Sequence, residues 1–267
     1  MTTTKKVLTL AVLMLLLGIF GAAAQSDEGV KSGTSGPQLY NMSFDTWSKS
    51  KGAWNLYPLK AKKSVRVWDS ANHGLSLLGI NGTMPEYEHI AVKGEGKAAA
   101  KIVSKKVVWA FVAGNLYTGN FVKIVNFAGA ELEFGVPFKG RPKALCGYYD
   151  YRPSKVNFAK SPHEDMKGKM DVGRIEVILT DWSAPYNITT NYESFIDGAT
   201  DPHVIGRAVI ELKKATNGYV YFDVPIEYRD DRTPTYVDIT ATPSRYGEFF
   251  TGGSGSTLYV DEFEFKY

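Results

Sequence analysis

Paired carboxylates are the first feature of this chain with the makings of chemistry. Glu86 with Glu88, Glu131 with Glu133, and Glu262 with Glu264 each stand two residues apart. On a strand such a pair leaves one face with Cβ atoms roughly 6–7 Å apart. An acid and a base or nucleophile flanking a glycosidic bond need a separation of that order. Alternating glutamate is equally the pattern of a solvent-facing strand, so the spacing alone leaves both readings open.

Other catalytic chemistries find little support. There is no Gly-x-Ser-x-Gly elbow, and the four histidines, His73, His89, His163 and His203, lie in polar, loop-like stretches that suit surface positions. His-Glu-x-x-His is absent, and Cys146 is the single cysteine, which excludes paired-cysteine zinc sites and an intrachain disulfide. Cys146 reads as a small core hydrophobe on a strand.

Hard-cation ligation is a further possibility. Asp45 closes the expected first strand and Asp261 lies in the expected last one. If the terminal strands run side by side, the two could share a structural calcium ion through oxygen ligands. There is no Asp-x-Asp-x-Asp-Gly loop, and the competing reading makes Asp45 a turn cap and Asp261 the partner of a basic residue.

Sugar binding needs flat aromatic faces and forked polar groups. Trp54 lies in Gly52-Ala53-Trp54-Asn55-Leu56-Tyr57-Pro58, Trp182 and Tyr186 in Asp181-Trp182-Ser183-Ala184-Pro185-Tyr186, and Tyr117 in Gly114-Asn115-Leu116-Tyr117-Thr118-Gly119. Tryptophans in Gly- and Pro-bearing loops are as well suited to sugar stacking as to plugging the end of a sandwich. Trp54, Tyr117, Trp182 and Tyr186, with Asn115 and Arg141 as polar contacts, form the expected ligand-binding set.

The elements that must position these residues are strands. Period-two alternation runs through Ser64–Trp68, Arg174–Leu179, Thr235–Ala241 and Thr257–Phe265. In the last run the apolar residues change parity, which demands a bulge near Val260-Asp261. Ala98–Val103 and Val107–Ala113 read as central strands, and order is expected to begin with a strand at Leu39–Phe44. Turn signals recur at Gly94-Glu95-Gly96, Gly114-Asn115, Asn217-Gly218 and Gly252–Gly255. Only Tyr192–Ile196 suggests a helical turn. The pattern predicts an all-β, two-sheet antiparallel sandwich in one domain, residues 39–267.

The N-terminus reads as a signal peptide over residues 1–24. Lys5 and Lys6 precede an apolar run from Val7 to Phe20, and Ala22-Ala23-Ala24 supplies a cleavage site. The run is too short to serve as a transmembrane segment. Residues 25–38 are small and polar, a flexible leader. The expected location is periplasmic, cell-surface or extracellular. Formal charge is +3 over the chain, and +1 without Lys5 and Lys6, which gives no footprint for nucleic acid or a polybasic membrane patch. Sixteen Tyr, 14 Phe, 5 Trp and 26 Gly suit pleated surfaces and tight turns.

Several segments together resemble a known family. They are Gly114–Gly119, Gly135–Pro153, Pro225–Tyr228 with Pro234–Tyr236, and Ser244–Gly247 running into Phe250–Phe263. In that order they are similar to the putative carbohydrate metabolism domain of glycan-foraging gut anaerobes, over Leu39–Tyr267. The resemblance implies a galactose-binding-like jelly roll akin to carbohydrate-binding modules, exported, with a glycan as partner. It transfers no catalytic residues. Some relatives carry a β domain ahead of this one, for which the leader leaves no room. Leu258–Glu262 also resembles the closing strand of calcium-pinned binding modules, which implies Asp261 as a ligand, while Asp45 stands where such modules often carry Glu.

The primary expectation is a non-catalytic carbohydrate-binding protein. One rival is a glycoside hydrolase using a pair such as Glu131 and Glu133. The other is a structural or adhesion component with an envelope protein as partner.

Overall fold

Among the described residues, fourteen strands gather into two antiparallel sheets. The structure is a computed structural model that describes residues 36–92, 96–107, 110–125, 129–190 and 195–267. The larger sheet runs β13 (Tyr186–Thr189), β9 (Gly129–Phe134), β8 (Leu116–Val125), β17 (Tyr236–Thr242), β12 (Gly173–Thr180), β14 (Val204–Leu212) and β16 (Glu227–Tyr228). Short β3 (Trp68–Asp69) and β10 (Val136–Pro137) join it beside β8 and β17. The smaller sheet runs β15 (Val220–Pro225), β11 (Ala144–Arg152), β18 (Thr257–Lys266), β5 (Ala99–Val103) and β4 (Thr83–Glu86). Two hairpins, β1 (Ser48–Ser50) with β2 (Ala53–Asn55) and β6 (Lys105–Val107) with β7 (Ala110–Val112), flank them. The only α-helix among the described residues is α1 (Asn72–Leu75), a single turn.

Alternation decides which side chains meet between the sheets. Ile175, Val177 and Leu179 of β12 and Val237, Ile239 and Ala241 of β17 enter the same core as Leu145, Ile102, Leu258 and Val260 from the smaller sheet. Each fully buried aliphatic side chain of this kind contributes roughly 1.5–3 kcal/mol relative to exposure. Arg174, Glu176, Asp238 and Thr240 necessarily leave the opposite face of the larger sheet. The all-β, two-sheet jelly-roll expectation agrees with this architecture.

The parity change in the last strand is present two residues later than expected. Cys146 pairs with Glu264 but Tyr148 with Asp261, so Glu262 and Phe263 together oppose Gly147. Glu262 takes φ +51°. The bulge lets Leu258 and Val260 before it, and Phe263 and Phe265 after it, all face the core. Cys146 is buried on β11, as expected.

Three strand expectations are corrected. Residues 40–43 form a turn, not a first strand, with positive φ at Asn41 and Phe44. The Asn41 side chain causes this: its Oδ1 accepts Thr46 N–H at 2.9 Å while Nδ2 donates to Thr46 O and Leu56 O. Ser64–Trp68 gives a 3-10 turn at Lys63–Val65 and then two strand residues, because Val67 and Trp68 alone are buried there. Val107–Ala113 is not one central strand: β6 and β7 pair with each other, Val107 opposite Ala110.

The N-terminal segment nevertheless lies beside β18, as the jelly-roll reading required. Phe263 N–H donates to Met42 O at 2.9 Å, and the Gln38 amide both donates to Phe265 O and accepts its N–H. Tyr267 Oη donates to Pro37 O at 2.7 Å, so the last leader residues are engaged by the strand end. The expected signal peptide at 1–24, the expected leader up to residue 35, the expected Gly94-Glu95 turn, Val108 and Trp109, and Tyr192–Ser194 of the expected helical turn lie outside the described residues. No helix among the described residues is long and apolar enough to cross a membrane.

Candidate functional site

A cleft of about 320 Å³ opens on the outer face of the larger sheet, over β9, β8, β17 and β12. Its floor follows from the alternation that builds the core. Ile175 and Val177 point inward, so Arg174, Glu176 and Ile178 point out; Val237 and Ile239 point inward, so Asp238 and Thr240 point out. One half is apolar, lined by Phe121, Leu132, Phe134 and Phe195. The other half is polar and charged, with Arg174, Glu176, Asp238 and Arg245. Residues 111–113, Gly247, Glu248 and Phe250 also border it.

The charged half is a cross-strand lattice. Arg174 pairs in register with Glu211 of β14, and its Nη2 lies 3.5 Å from Glu211 Oε1. Glu176 accepts from Arg174 Nη1 at 3.2 Å and Arg207 Nε at 2.7 Å. Glu211 also pairs with Arg245 and, at 3.3 Å, with Lys213 Nζ. Neighbouring guanidinium groups counter the partial burial of Glu211, and its carboxyl lies below the usual range. The lattice fixes side chains that would otherwise be long and mobile; its partly exposed pairs each contribute little stability.

Asp238 behaves differently. It is 4 % exposed and has no basic hydrogen-bond partner among the described residues. The Thr118 hydroxyl lies 3.0 Å from its Oδ1 and accepts Ile239 N–H at 2.9 Å. Burial, with the charge of Glu176 adding to it, pushes the carboxyl up to about 8 against the Thr118 contact. Burial thus favours the neutral, protonated form of Asp238.

Two buried polar atoms of cleft residues, Tyr117 Oη and Arg174 Nε, have no partner among the described residues. Tyr117 is 2 % exposed, packs against Phe134 with ring centroids 4.9 Å apart, and has its hydroxyl pushed well up by burial and by Asp69 and Asp238. A buried polar atom left unpaired costs about 1–3 kcal/mol, which a ligand can recover.

The six expected binding residues do not form one surface. Tyr117 and Asn115 line the cleft, although Asn115 Oδ1 also accepts Ala71 N–H at 2.8 Å. Trp54 sits on β2 in edge contact with Trp47, with Lys49 Nζ 5.3 Å from its ring centre. Trp182 is 7 % exposed; it stacks on Tyr186 at 5.5 Å and covers Gly135, which makes it a packing plug with no face open for a sugar. Arg141 lies over the Tyr228 ring and donates to Asp230 O and Arg232 O, so its fork is occupied in tying down a loop.

The carboxylate pairs lie elsewhere. Glu131 pairs with Lys123 at 2.8 Å and Glu133 accepts from Asn120 at 3.1 Å, on the face of β9 opposite to Leu132 and Phe134. Glu86 pairs with Lys101. Sequence reading passed over Asp238, Glu176, Arg174 and Arg245. Asp238 and Glu176 are 62 positions apart, so no i, i+2 spacing joins them. The available signal was an aspartate set into the otherwise apolar and Thr alternation of 235–241.

Asp45 and Asp261 converge on one region. Asp45 Oδ1 accepts Ala98 N–H at 3.0 Å and that of Lys97, and Asp261 Oδ2 accepts Ala91 N–H at 2.8 Å. Asp261 Oδ1 is buried without a partner among the described residues. Burial, with Glu262 and Asp45 adding to it, raises Asp261 to about 7. The carboxylates of Glu262 and Asp45 both flank Gly96. All are hard oxygen donors of the kind calcium takes, yet no three His, Cys, Asp or Glu side chains among the described residues are grouped to hold a metal.

Fold and cleft together define a jelly-roll β-sandwich with an amphipathic cleft on one sheet. Residues 43–266 match the putative carbohydrate metabolism domain, and the chain belongs to that family. No curated protein sequence matches it. A putative glycoside hydrolase from Bacteroides thetaiotaomicron VPI-5482 superposes with a TM-score of 0.65 at 23 % identity, covering 88 % of this chain and 72 % of its own. One from Bacteroides vulgatus ATCC 8482 gives 0.61 at 20 % identity, covering 86 % and 98 %. These likenesses establish the shared fold. A non-crystalline cellulose specific carbohydrate-binding module overlaps more loosely, with a TM-score of 0.34 at 12 % identity over 76 % of this chain and 88 % of its own.

Proposed function

We propose that this protein binds carbohydrate in the cleft over β9, β8, β17 and β12. The observation that carries the reading is the coexistence of two unpaired buried polar atoms, Tyr117 Oη and Arg174 Nε, with an aromatic wall of Phe121, Phe134 and Phe195. A sugar ring has apolar C–H faces and a rim of hydroxyls that both donate and accept, so it matches a cleft divided in this way. Membership in a carbohydrate metabolism family points in the same direction. Export belongs to the same proposal, supported by Lys5, Lys6, the apolar run and Ala22–Ala24.

A structural calcium ion at Asp45 and Asp261 also remains a proposal. It is supported by the partnerless Asp261 Oδ1 and the nearby Asp45 and Glu262 carboxylates. Such an ion would neutralise these carboxylates and pin Ala91, Lys97 and Ala98 beside β18.

The test is a glycan-array screen of residues 25–267 followed by titration calorimetry on the hits. Saturable binding weakened by Tyr117→Phe supports the cleft. Binding unchanged by Tyr117→Phe but lost with Trp54→Ala moves the site to the β1–β2 hairpin.

A further inference from the structure

The geometry points to a hydrolytic site in this cleft, with Asp238 protonating the glycosidic oxygen and Glu176 accepting a proton from the attacking water. The inference rests on the reading that the cleft binds glycan and adds a reaction to it.

The placement is a matter of register. Asp238 pairs with Ile178 and Glu176 with Thr240 across β17 and β12. The two acids are diagonal neighbours on one face of one sheet, about 7–8 Å apart at the backbone. Both line the cleft. Inverting hydrolysis needs its two carboxyl groups about 6.5–9.5 Å apart, because a water must fit between acid and base; retaining enzymes hold them closer.

The surroundings assign the roles. Thr118 holds Asp238 Oδ1, which leaves Oδ2 to carry the proton. Burial, with the nearby charge of Glu176, favours keeping that proton on the acid. Glu176 takes one guanidinium donor on each oxygen, Arg207 on Oε1 and Arg174 on Oε2. A carboxylate oxygen accepts two hydrogen bonds, so each has room for water. Two arginines also hold Glu176 in a single orientation.

The balance is that of hydrolysis. Asp238 gives its proton to the glycosidic oxygen as the C1–O bond breaks. The water oxygen bonds C1 from the opposite face, and its proton passes to Glu176. A free alcohol and a hemiacetal of inverted configuration leave, and proton exchange with solvent restores both acids. No oxidant or metal is required.

The experiment begins with the oligosaccharides that bind the full chain. Each is incubated with protein and followed by reducing-end release and by NMR of the new anomeric centre. The expectation is cleavage with inversion. Asp238→Asn and Glu176→Gln should each lose about 100-fold or more in turnover while binding remains. A nitrophenyl glycoside of the same sugar separates the roles, since its leaving group needs no proton. On it Asp238→Asn should recover most activity and Glu176→Gln should not, a split that misfolding would not produce. Bound oligosaccharide returned intact by the wild-type chain overturns the inference and leaves the binding function standing. Retained configuration, or full activity in both variants, overturns it too. Absence of any glycan binding removes the binding function and the inference together.

Discussion

Asp238 on β17 and Glu176 on β12 stand one diagonal step apart on the outer face of the larger sheet, and their environments are opposite. Glu176 is held by two guanidinium groups, whereas Asp238 is buried with a hydroxyl for company. One carboxyl group held by guanidinium donors and another buried beside a hydroxyl are an arrangement by which one site can accept a proton and supply one.

The pH dependence of stability follows from the buried acids. Asp238 and Asp261 are raised to about 8 and about 7, while an unfolded aspartate titrates near 4. Between those values the folded chain holds protons that the unfolded chain has released. Stability from these groups is therefore full below about pH 4 and is lost as pH rises toward 8. Each can steepen the fall by up to about 1.4 kcal/mol per pH unit. Glu211 and Asp150, whose pKa values are lowered, act in the other direction and withdraw stability in acid. Denaturant midpoints should peak near pH 4–5, and Asp238→Asn with Asp261→Asn should flatten the descent.

Tyr117→Phe separates affinity from stability. The hydroxyl is buried and unpaired, so removing it should leave the melting temperature unchanged or raise it, by the equivalent of about 1 kcal/mol. Glycan affinity should fall. A variant that loses stability and keeps its affinity would show that Tyr117 serves the fold alone.

Trp182→Ala should do the reverse. Its indole fills space against Tyr186 and Gly135, so truncation should cost about 3–5 kcal/mol in chemical denaturation. Titration of the remaining folded protein should give near wild-type affinity.

Calcium should raise the melting temperature and a chelator lower it if Asp261 Oδ1 is a ligand. Asp261→Asn should abolish the difference. Equal melting curves with calcium and with chelator would sink the proposal.

The bulge in β18 depends on Gly147. Its φ is +156°, and a Cβ there would meet Phe263 Cδ1 at 2.6 Å and Glu262 O at 3.1 Å. Gly147→Ala should destabilise by about 1–3 kcal/mol. Equilibrium denaturation measures this, and an unchanged midpoint would mean that β11 and β18 slip register without cost.

Much of this molecule could be read before its fold was known. Alternation in 174–179, 235–241 and 257–265 requires strands, and the parity change in 257–265 requires a bulge, because side-chain period on a strand is two residues. These are local rules, so they survive without coordinates. Ser64–Trp68 and Val107–Ala113 misled because alternation and apolar runs record burial, and buried residues also occur in turns and hairpins. The cleft lay beyond such rules. Which face of β12 is solvent and which is core, that β17 and not another strand lies beside it, and that Glu176 stands diagonal to Asp238 are consequences of pairing between distant segments. So is the difference between Trp182, enclosed by Tyr186, and Tyr117, whose hydroxyl is left without a partner. Residue type and spacing determined that this chain would form sheets; only the order and register of the strands decided which of its acids share a face.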